Sequence, residues 1–269
     1  MSENKKIKIA DAFKNGKAFI PFITCGDPDL ETTAELVKTM ENAGADLIEL
    51  GIPFSDPTAE GPVIQGANLR SLSAGTTTDK IFETVKSIRA DVSIPLVFMT
   101  YANVVFSYGV LSGEEPCESF ARNAAAAGIN GVILADVSFE EKEEFAPVFR
   151  KYGIDFISMI APTSESRIAM IAKEAEGFVY VVSSMGVTGM RSEITTDIGA
   201  MTAQIRKANP DVPCAIGFGI SNPQQAADMA QHADGVIVGS AIVNRIAEHG
   251  RESAPVIAEY VRSMKDAIR

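Results

Sequence analysis

A turn followed by a short apolar run recurs along this chain and decides its fold class. It stands at Gly44-Ala-Asp-Leu-Ile-Glu-Leu50, at Gly128-Ile-Asn-Gly-Val-Ile-Leu-Ala-Asp136 and at Ala233-Asp-Gly-Val-Ile-Val-Gly239. In each copy a small or polar turn ends a helix and an apolar strand begins. The repetition predicts βα units packed side by side around a parallel sheet.

Eight apolar runs of strand length appear when the same pattern is followed outward. They are residues 18–24, 46–51, 95–101, 131–135, 155–160, 178–182, 213–217 and 235–239. The runs begin roughly every 30 residues, which is the length of one βαβ unit, and no linker separates them. The pattern predicts an α/β fold, a (β/α)8 TIM barrel that occupies residues 1–269 as a single domain. Residues 7–13 are predicted to form an extra N-terminal helix that covers the bottom of the barrel, and residues 254–268 the last outer helix.

Composition and charge exclude several function classes. The chain has 24 Lys and Arg against 35 Asp and Glu, so its net charge of -11 argues against nucleic acid or an anionic membrane as a partner. No apolar run has the length of a membrane span, and the three cysteines are odd in number and far apart. We therefore expect a cytoplasmic protein with reduced thiols. The two histidines lack the neighbours of a familiar metal site, so no metal is expected.

The second predicted strand and its loop carry the acidic residues best placed for catalysis. They read Leu47-Ile-Glu-Leu-Gly-Ile-Pro-Phe-Ser-Asp-Pro-Thr-Ala-Glu-Gly-Pro62. Active sites of barrels lie at the C-terminal ends of the strands. Strand alternation puts Glu49 on the same face as Leu47, where burial would raise its pKa toward the range useful for proton transfer. We predict that Glu49 is catalytic; the alternative is a glutamate held in a salt bridge at the rim or facing a helix.

Two glycine-containing loops near the end of the chain predict a phosphate site. Gly217-Phe-Gly-Ile-Ser-Asn-Pro223 and Gly239-Ser-Ala-Ile-Val243 each place a glycine at a strand end ahead of a helix. The free N–H groups and the dipole at such a helix start favour an anion. Ser221 and Ser240 are candidate caps or direct ligands. Residues 183–193 are predicted to form a lid over a phosphorylated small molecule, the alternative being a flexible connection.

Residues and motifs that are absent from the predicted strands and their loops disfavour two kinds of catalysis. None of the eight predicted strands contains a lysine, which disfavours a Schiff-base aldolase. No nicotinamide-binding fingerprint follows the first strand. The remaining interpretation is acid–base catalysis by carboxylates without a cofactor.

An ordered series of motifs covers nearly the whole chain. It comprises Pro21-Phe-Ile-Thr-Cys-Gly-Asp-Pro28, Glu49-Leu-Gly-Ile-Pro-Phe-Ser-Asp-Pro57, Gly61-Pro-Val-Ile-Gln65, Tyr101-Ala-Asn103, Gly186-Val-Thr-Gly189, Gly217-Phe-Gly-Ile-Ser221 and Gly239-Ser-Ala-Ile-Val243. By this series the chain resembles the α subunit of tryptophan synthase. That family is a (β/α)8 barrel that cleaves indole-3-glycerol phosphate into indole and glyceraldehyde 3-phosphate. It passes indole to a β subunit that carries pyridoxal phosphate, so the resemblance implies an α2β2 heterotetramer and no cofactor on this chain.

The resemblance also implies roles for individual residues. Glu49 matches the family's acid–base, which protonates the indole ring at C3 and handles the glycerol hydroxyl proton. Glu60 stands where the family has an Asp that interacts with the indole N–H, and Asp56 matches a region that communicates with the β subunit. Phosphate, substrate and lid contacts are matched by Tyr180, Thr188, Gly189, Phe218, Gly219, Gly239 and Ser240, and the indole pocket by Phe22 and Tyr101.

Glu60 is the departure that bears on activity. Its extra methylene moves the carboxylate by roughly 1 Å, and a misplacement of that size can cost on the order of 100-fold in rate. We expect lyase activity to be retained because Glu49 and both phosphate loops are intact. Two alternatives are a non-catalytic regulatory subunit of the same complex and another phosphate-binding barrel enzyme, such as a sugar-phosphate epimerase.

Overall fold

A parallel sheet that closes on itself forms the centre of the computed structural model, which describes residues 7–110, 113–115, 117–163, 165–183, 197–217 and 219–269. Its strands are β1 Ala18–Thr24, β2 Ile48–Gly51, β3 Leu96–Thr100, β4 Gly131–Leu134, β5 Asp155–Phe156, β6 Ser158–Ile160, β7 Val179–Val182, β8 Cys214–Gly217 and β9 Gly235–Val238. Hydrogen-bonded neighbours follow the order β5-β4-β3-β2-β1-β9-β8-β7-β6, and every pair is parallel.

The two ends of this sheet are halves of one predicted run, and they close the barrel. β5 pairs with β4, β6 pairs with β7, and only Ile157 lies between the two halves. Closure of a barrel requires its strands to tilt and stagger, so one strand meets its two neighbours at different heights. The predicted (β/α)8 barrel is confirmed, with its fifth strand divided in two.

The helices lie between the strands, apart from α10 and α11, which follow β9, and most of them pack on the outside of the sheet. They are α1 Leu30–Asn42, α2 Pro62–Ser73, α3 Thr78–Ile88, α4 Ala102–Ser107, α5 Glu118–Ala127, α6 Ala146–Lys151, α7 Glu165–Lys173, α8 Ile198–Ala208, α9 Pro223–Ala230, α10 Ser240–His249 and α11 Ala254–Ala267. α3 shows how the sequence forms them: the Thr77 hydroxyl caps its first turn, and Ile81, Val85 and Ile88 form a buried stripe at helical spacing.

The base of the barrel is covered by the N-terminal segment, as predicted, but the helix there differs from the expected one. It is a short 3-10 helix, Ile9–Phe13. Short segments of this kind are typical of connectors rather than packed helices. Ile9 is buried beneath Gly131 and Gly177, and a Cβ on either glycine would lie 2.7 and 3.1 Å, respectively, from Ile9 Cδ1. The missing side chains of the two glycines therefore make room for Ile9.

Strand alternation divides the buried apolar residues into two clusters. Phe22, Leu47, Val97 and Met99 belong to the cluster inside the barrel, whereas Ile48 and their other outward neighbours pack against the helices. Glu49 follows Ile48 on β2, so its side chain shares the inner face with Leu47. The predicted orientation of Glu49 is confirmed.

No helix within the described ranges is both long enough and apolar enough to cross a membrane. The assignment of residues 1–269 to a single domain stays a prediction.

Candidate active site

Glu49 lies on the inner face of β2 between two hydrogen-bonded neighbours. It is level with Phe22 of β1 and with Val97 of β3, and its side chain is buried, with 1% of the residue exposed. Both neighbouring side chains are apolar, and Leu47 lies on the same face below it. A carboxyl group is therefore held in an apolar barrel near the ends of the strands.

The Glu49 carboxyl group has little to stabilise its charge. Within the part of the chain that the structure describes, Glu49 Oε1 has no hydrogen-bond partner and Glu49 forms no salt bridge. Burial raises its pKa to about 8. This geometry is not that of a rim glutamate in an ion pair, which was the alternative interpretation. At neutral pH the group is mostly protonated and can donate a proton.

Glu60 lies in the loop between β2 and α2 and is also buried, with 8% exposed. The amide of Asn68 donates a hydrogen bond from Nδ2 to Glu60 Oε2 at 2.6 Å. The pKa of Glu60 is raised overall: burial raises it, and hydrogen bonds from Asn68 and the Tyr101 hydroxyl offset only part of that effect. The second carboxyl group is therefore anchored by donors that Glu49 lacks.

Tyr101 ties this loop to the end of β3. Its hydroxyl accepts a hydrogen bond from the N–H of Ala59 at 3.3 Å, and its ring packs against Phe54 with 5.2 Å between centroids. The pKa of Tyr101 is raised, first by burial and then by the charge of Glu60, so the hydroxyl stays protonated and can donate to the carboxylate. Tyr101 thus contacts the loop through both its ring and its hydroxyl.

Asn68 is the contact residue that the sequence reasoning missed. It lies on α2, whose buried residues are Ile64, Ala67, Asn68 and Ser71. These positions follow the i, i+3, i+4, i+7 spacing of a packed face, on which apolar residues are expected. An asparagine on that face, just after an acidic loop, is a sequence signal that could have identified it.

Aromatic side chains fill space that glycines leave at the strand ends. A Cβ on Gly51 would lie 2.6 Å from Phe22 Cζ, and a Cβ on Gly239 would lie 3.4 Å from Phe22 Cδ1. A Cβ on Gly217 would lie 2.3 Å from Tyr180 Oη. Burial, followed by the charge of Glu49, raises the pKa of Tyr180. Phe22 and Tyr180 therefore pack inside the mouth of the barrel, where the charge of Glu49 acts on the Tyr180 hydroxyl.

The two predicted phosphate loops end at different kinds of helix start. α10 begins at Ser240 with Gly239 as its N-cap and no side chain capping it. The first hydrogen bond of α10 runs from the Ile242 N–H to the Gly239 carbonyl at 2.8 Å, so the N–H groups of Ser240 and Ala241 precede it. α9 is capped instead by Asn222, which accepts from the Gln225 N–H at 2.9 Å. Ser240 thus lies at an uncapped helix start, suited to an anion.

Ser221 is not the cap of α9 that its position suggested. Its N–H and its hydroxyl both donate to Gln225 Oε1, at 2.9 and 3.1 Å. Gly219, two residues before it, has a φ of +86°, which favours glycine. Pro223 opens α9, a position that proline favours, so Asn222 is the N-cap and Ser221 lies one residue before it.

Comparison with known proteins gives the family. The family model described as tryptophan synthase alpha chain matches residues 9–269. The chain belongs to the tryptophan synthase alpha chain family. It is similar to the tryptophan synthase alpha chain of Lacticaseibacillus casei, with 46% identity over 97% of this chain and 95% of that one.

Solved structures agree with this assignment. The tryptophan synthase alpha chain of Legionella pneumophila subsp. pneumophila superposes with a TM-score of 0.84 at 34% identity, covering 97% of this chain and 96% of that chain. A chain of the tryptophan synthase complex of Pyrococcus furiosus gives 0.82 at 32% identity, covering 93% and 98%. The resemblance found in the motifs is confirmed: the chain is a carbon–carbon lyase of tryptophan biosynthesis, and the regulatory and epimerase alternatives are not favoured.

The remaining residues implied by the family fall in three places. Gly219, Gly239 and Ser240 lie at the ends of β8 and β9. Asp56 is exposed on the loop after β2, where it accepts a hydrogen bond from the Ser55 hydroxyl at 2.5 Å. Thr188, Gly189 and Phe218 lie outside the described residues, as does the predicted lid apart from Ser183.

Proposed function

We propose that Glu49 and Glu60 perform the cleavage of indole-3-glycerol phosphate into indole and glyceraldehyde 3-phosphate. The observation that carries this proposal is the contrast between the two carboxyl groups. Glu49 is buried with an unpartnered Oε1 and a pKa near 8, whereas Glu60 is held by Asn68 and Tyr101. Carboxyl groups whose environments separate their pKa values are typical of acid–base pairs.

Glu49 moves the protons in this scheme. Its protonated carboxyl group delivers a proton to C3 of the indole ring, which makes the ring nitrogen electron-poor. The resulting carboxylate then takes the proton of the hydroxyl group next to the scissile bond. The oxygen forms the aldehyde of glyceraldehyde 3-phosphate, the bonding pair returns to the ring as the carbon–carbon bond breaks, and Glu49 is protonated again.

Glu60 stabilises the charge on the indole ring. Its carboxylate accepts a hydrogen bond from the indole N–H, and this bond strengthens when protonation of C3 makes the nitrogen positive. A charge held in place where charge develops in the transition state lowers the barrier. Glu60 must therefore be ionised while Glu49 is protonated.

The glycine loops and the aromatic residues bind the two ends of the substrate in this proposal. The N–H groups at the start of α10, together with Gly219, Gly239 and Ser240, bind the phosphate group. Phe22 and Tyr101 form the indole pocket, and Tyr180 contacts the substrate beside Glu49. Thr188, Gly189 and Phe218 are proposed to complete these contacts.

The chain is proposed to act with a β subunit. Pyridoxal phosphate belongs to that subunit, the cleavage itself uses no cofactor, and Asp56 contributes to communication between the two. We propose an α2β2 assembly in the cytoplasm, where three buried free cysteines would stay reduced. Light scattering of the mixed subunits tests this: the mass of an α2β2 complex is expected, and two separate species would contradict it.

An indole-release assay tests the catalytic proposal. The purified chain is given indole-3-glycerol phosphate with and without a β subunit, and Glu49→Gln is compared with Glu35→Gln, which changes an exposed glutamate of α1. We expect Glu49→Gln to bind substrate in calorimetry but to lose on the order of 1000-fold or more in cleavage rate, because both proton transfers are lost. An unchanged rate in Glu49→Gln would refute the scheme.

A further inference from the structure

We propose that Asn68 is a positioning residue that holds the Glu60 carboxylate as an acceptor for the substrate. The inference rests on the proposed role of Glu60. Asn68 is buried on α2 and its Nδ2 lies 2.6 Å from Glu60 Oε2. An amide cannot change its protonation in the working pH range, so it offers a donor at every pH at which the enzyme acts.

Two residues of α2 next to Asn68 fix the orientation of the helix, and so the direction in which Asn68 points. The Arg70 guanidinium donates two hydrogen bonds to the buried carboxylate of Asp27, at 2.7 and 2.8 Å. The Ser71 hydroxyl donates to the carbonyl of Cys25 at 2.6 Å. α2 is therefore fastened to the loop after β1, and the first strand, the helix and Glu60 form one connected unit.

Asn68 differs in one respect from Gln65, which also contacts Glu60. Gln65 Nε2 donates to the backbone carbonyl of Glu60 at 2.7 Å and so holds the loop. Asn68, like Tyr101, donates instead to the carboxylate itself, on which the proposed catalysis depends. The two side chains stand one turn apart on the same helix, which makes Gln65 a matched control for the loss of loop anchoring alone.

The pKa of Glu60 depends on burial and on the polar and charged groups around it. Tyr101 contacts Glu60, and Asp136, which follows β4, acts on Tyr101. The charges of Glu60 and Asp136 both raise the pKa of the Tyr101 hydroxyl, which therefore stays protonated. Burial raises the pKa of Glu60, and the bonds from Asn68 and Tyr101 oppose that effect. Loss of Asn68 must therefore raise the pKa of Glu60 further, because a donated hydrogen bond stabilises the ionised carboxylate more than the protonated acid.

The pH profile of kcat/KM is the readout, measured on the full chain with its β subunit. We expect activity to rise with pH as Glu60 ionises and to fall near pH 8 as Glu49 loses its proton. Asn68→Ala should lower the rate about 10- to 100-fold and move only the rising limb, by roughly one pH unit toward higher pH. Asn68→Asp, which keeps the size of the side chain but adds a like charge, should move that limb further.

Two comparisons separate positioning from a structural role. Gln65→Ala should lower the rate without moving the rising limb. In the Glu60→Gln background, which has no carboxylate to hold, Asn68→Ala should change the rate less than threefold, so the two effects are not additive. A structural defect would instead lower the rate equally in both backgrounds and leave the profile in place.

Failure of this inference is distinct from failure of the proposed function. If the wild type releases no indole, or if Glu60→Gln keeps the rising limb, the role of Glu60 itself is refuted. If Glu60→Gln abolishes the limb while Asn68→Ala and Asn68→Asp, both folded by circular dichroism, leave it where it was, the positioning role of Asn68 is refuted. A shift of the limb in the two Asn68 variants alone supports it.

Discussion

Glu49 and Glu60 are the same kind of residue at opposite ends of one short segment, and both are buried, but their surroundings differ. Glu49 projects from a strand among apolar side chains and its Oε1 has no partner among the described residues. Glu60 lies on a loop and receives hydrogen bonds from an amide and a phenol. Burial acts on both in the same direction, so the difference comes from the donors.

The comparison shows how a barrel can use two identical carboxyl groups for two tasks. A rigid strand among apolar neighbours offers few donors, which suits a group that must hold a proton near neutral pH. A loop beside a helix can bring donors to a carboxylate, which suits a group that must stay charged. The position in the fold, rather than the residue type, assigns the roles.

The largest expected effect is on the free energy of unfolding of Glu49→Gln. The folded-state pKa of Glu49, about 8, is raised above its unfolded value near 4.5. The stability associated with the protonated carboxyl group is therefore complete below pH 4.5 and is lost as pH rises through 8. Gln cannot ionise, so Glu49→Gln should be more stable than the wild type by on the order of 4 kcal/mol at pH 9, and nearly equal to it at pH 5. Denaturant titrations at the two pH values measure this.

Glu60→Gln is the matched control for that measurement. Donors offset part of the effect of burial on the pKa of Glu60, so we expect the stabilisation of Glu60→Gln at pH 9 to be clearly smaller than that of Glu49→Gln. Equal gains in the two variants would contradict the view that the donors distinguish the carboxyl groups.

Glu60→Asp is expected to lower the cleavage rate, although it restores the residue usual for the family. The shorter side chain withdraws the carboxylate by roughly 1 Å from Asn68, and such a displacement can cost on the order of 100-fold in rate. Steady-state kinetics with indole-3-glycerol phosphate test this. A faster Glu60→Asp enzyme would show that the extra methylene misplaces the carboxylate and that Asn68 and Tyr101 are not arranged for Glu60.

The fold and the position of Glu49 could be predicted because both follow from local periodicity. Strand-length apolar runs recur at a βαβ spacing, and alternation along β2 alone places Glu49 inside the barrel. The division of the fifth strand at Ile157 could not be predicted, since it depends on how two neighbours meet that strand at different heights. The 3-10 form of the segment Ile9–Phe13 likewise depends on packing beneath Gly131 and Gly177.

The surroundings of Glu60 were harder to predict than Glu60 itself. The family motif identifies the carboxylate, and its donor Asn68 stands 8 residues further along the chain, but its other donor, Tyr101, comes from the end of β3 and is brought to the loop by the barrel. Asn222 rather than Ser221 caps α9 because Pro223 opens that helix, a local signal that the sequence does contain. The contact between Tyr101 and Glu60 depends on tertiary geometry, which no local pattern contains.

Tyr101→Phe gives the smallest and most specific test of the comparison. The substitution keeps the ring that packs against Phe54 but removes the hydroxyl that donates to Glu60 and accepts from the Ala59 N–H. The pKa of Glu60 should rise, so the rising limb of kcat/KM should move up by less than about one pH unit, with a rate loss of about tenfold or less. The falling limb, which reports Glu49, should stay in place because Glu49 has no bond to Tyr101. A shift of the falling limb would show that the two carboxyl groups are coupled, and their contrasting surroundings would then not suffice to explain their roles.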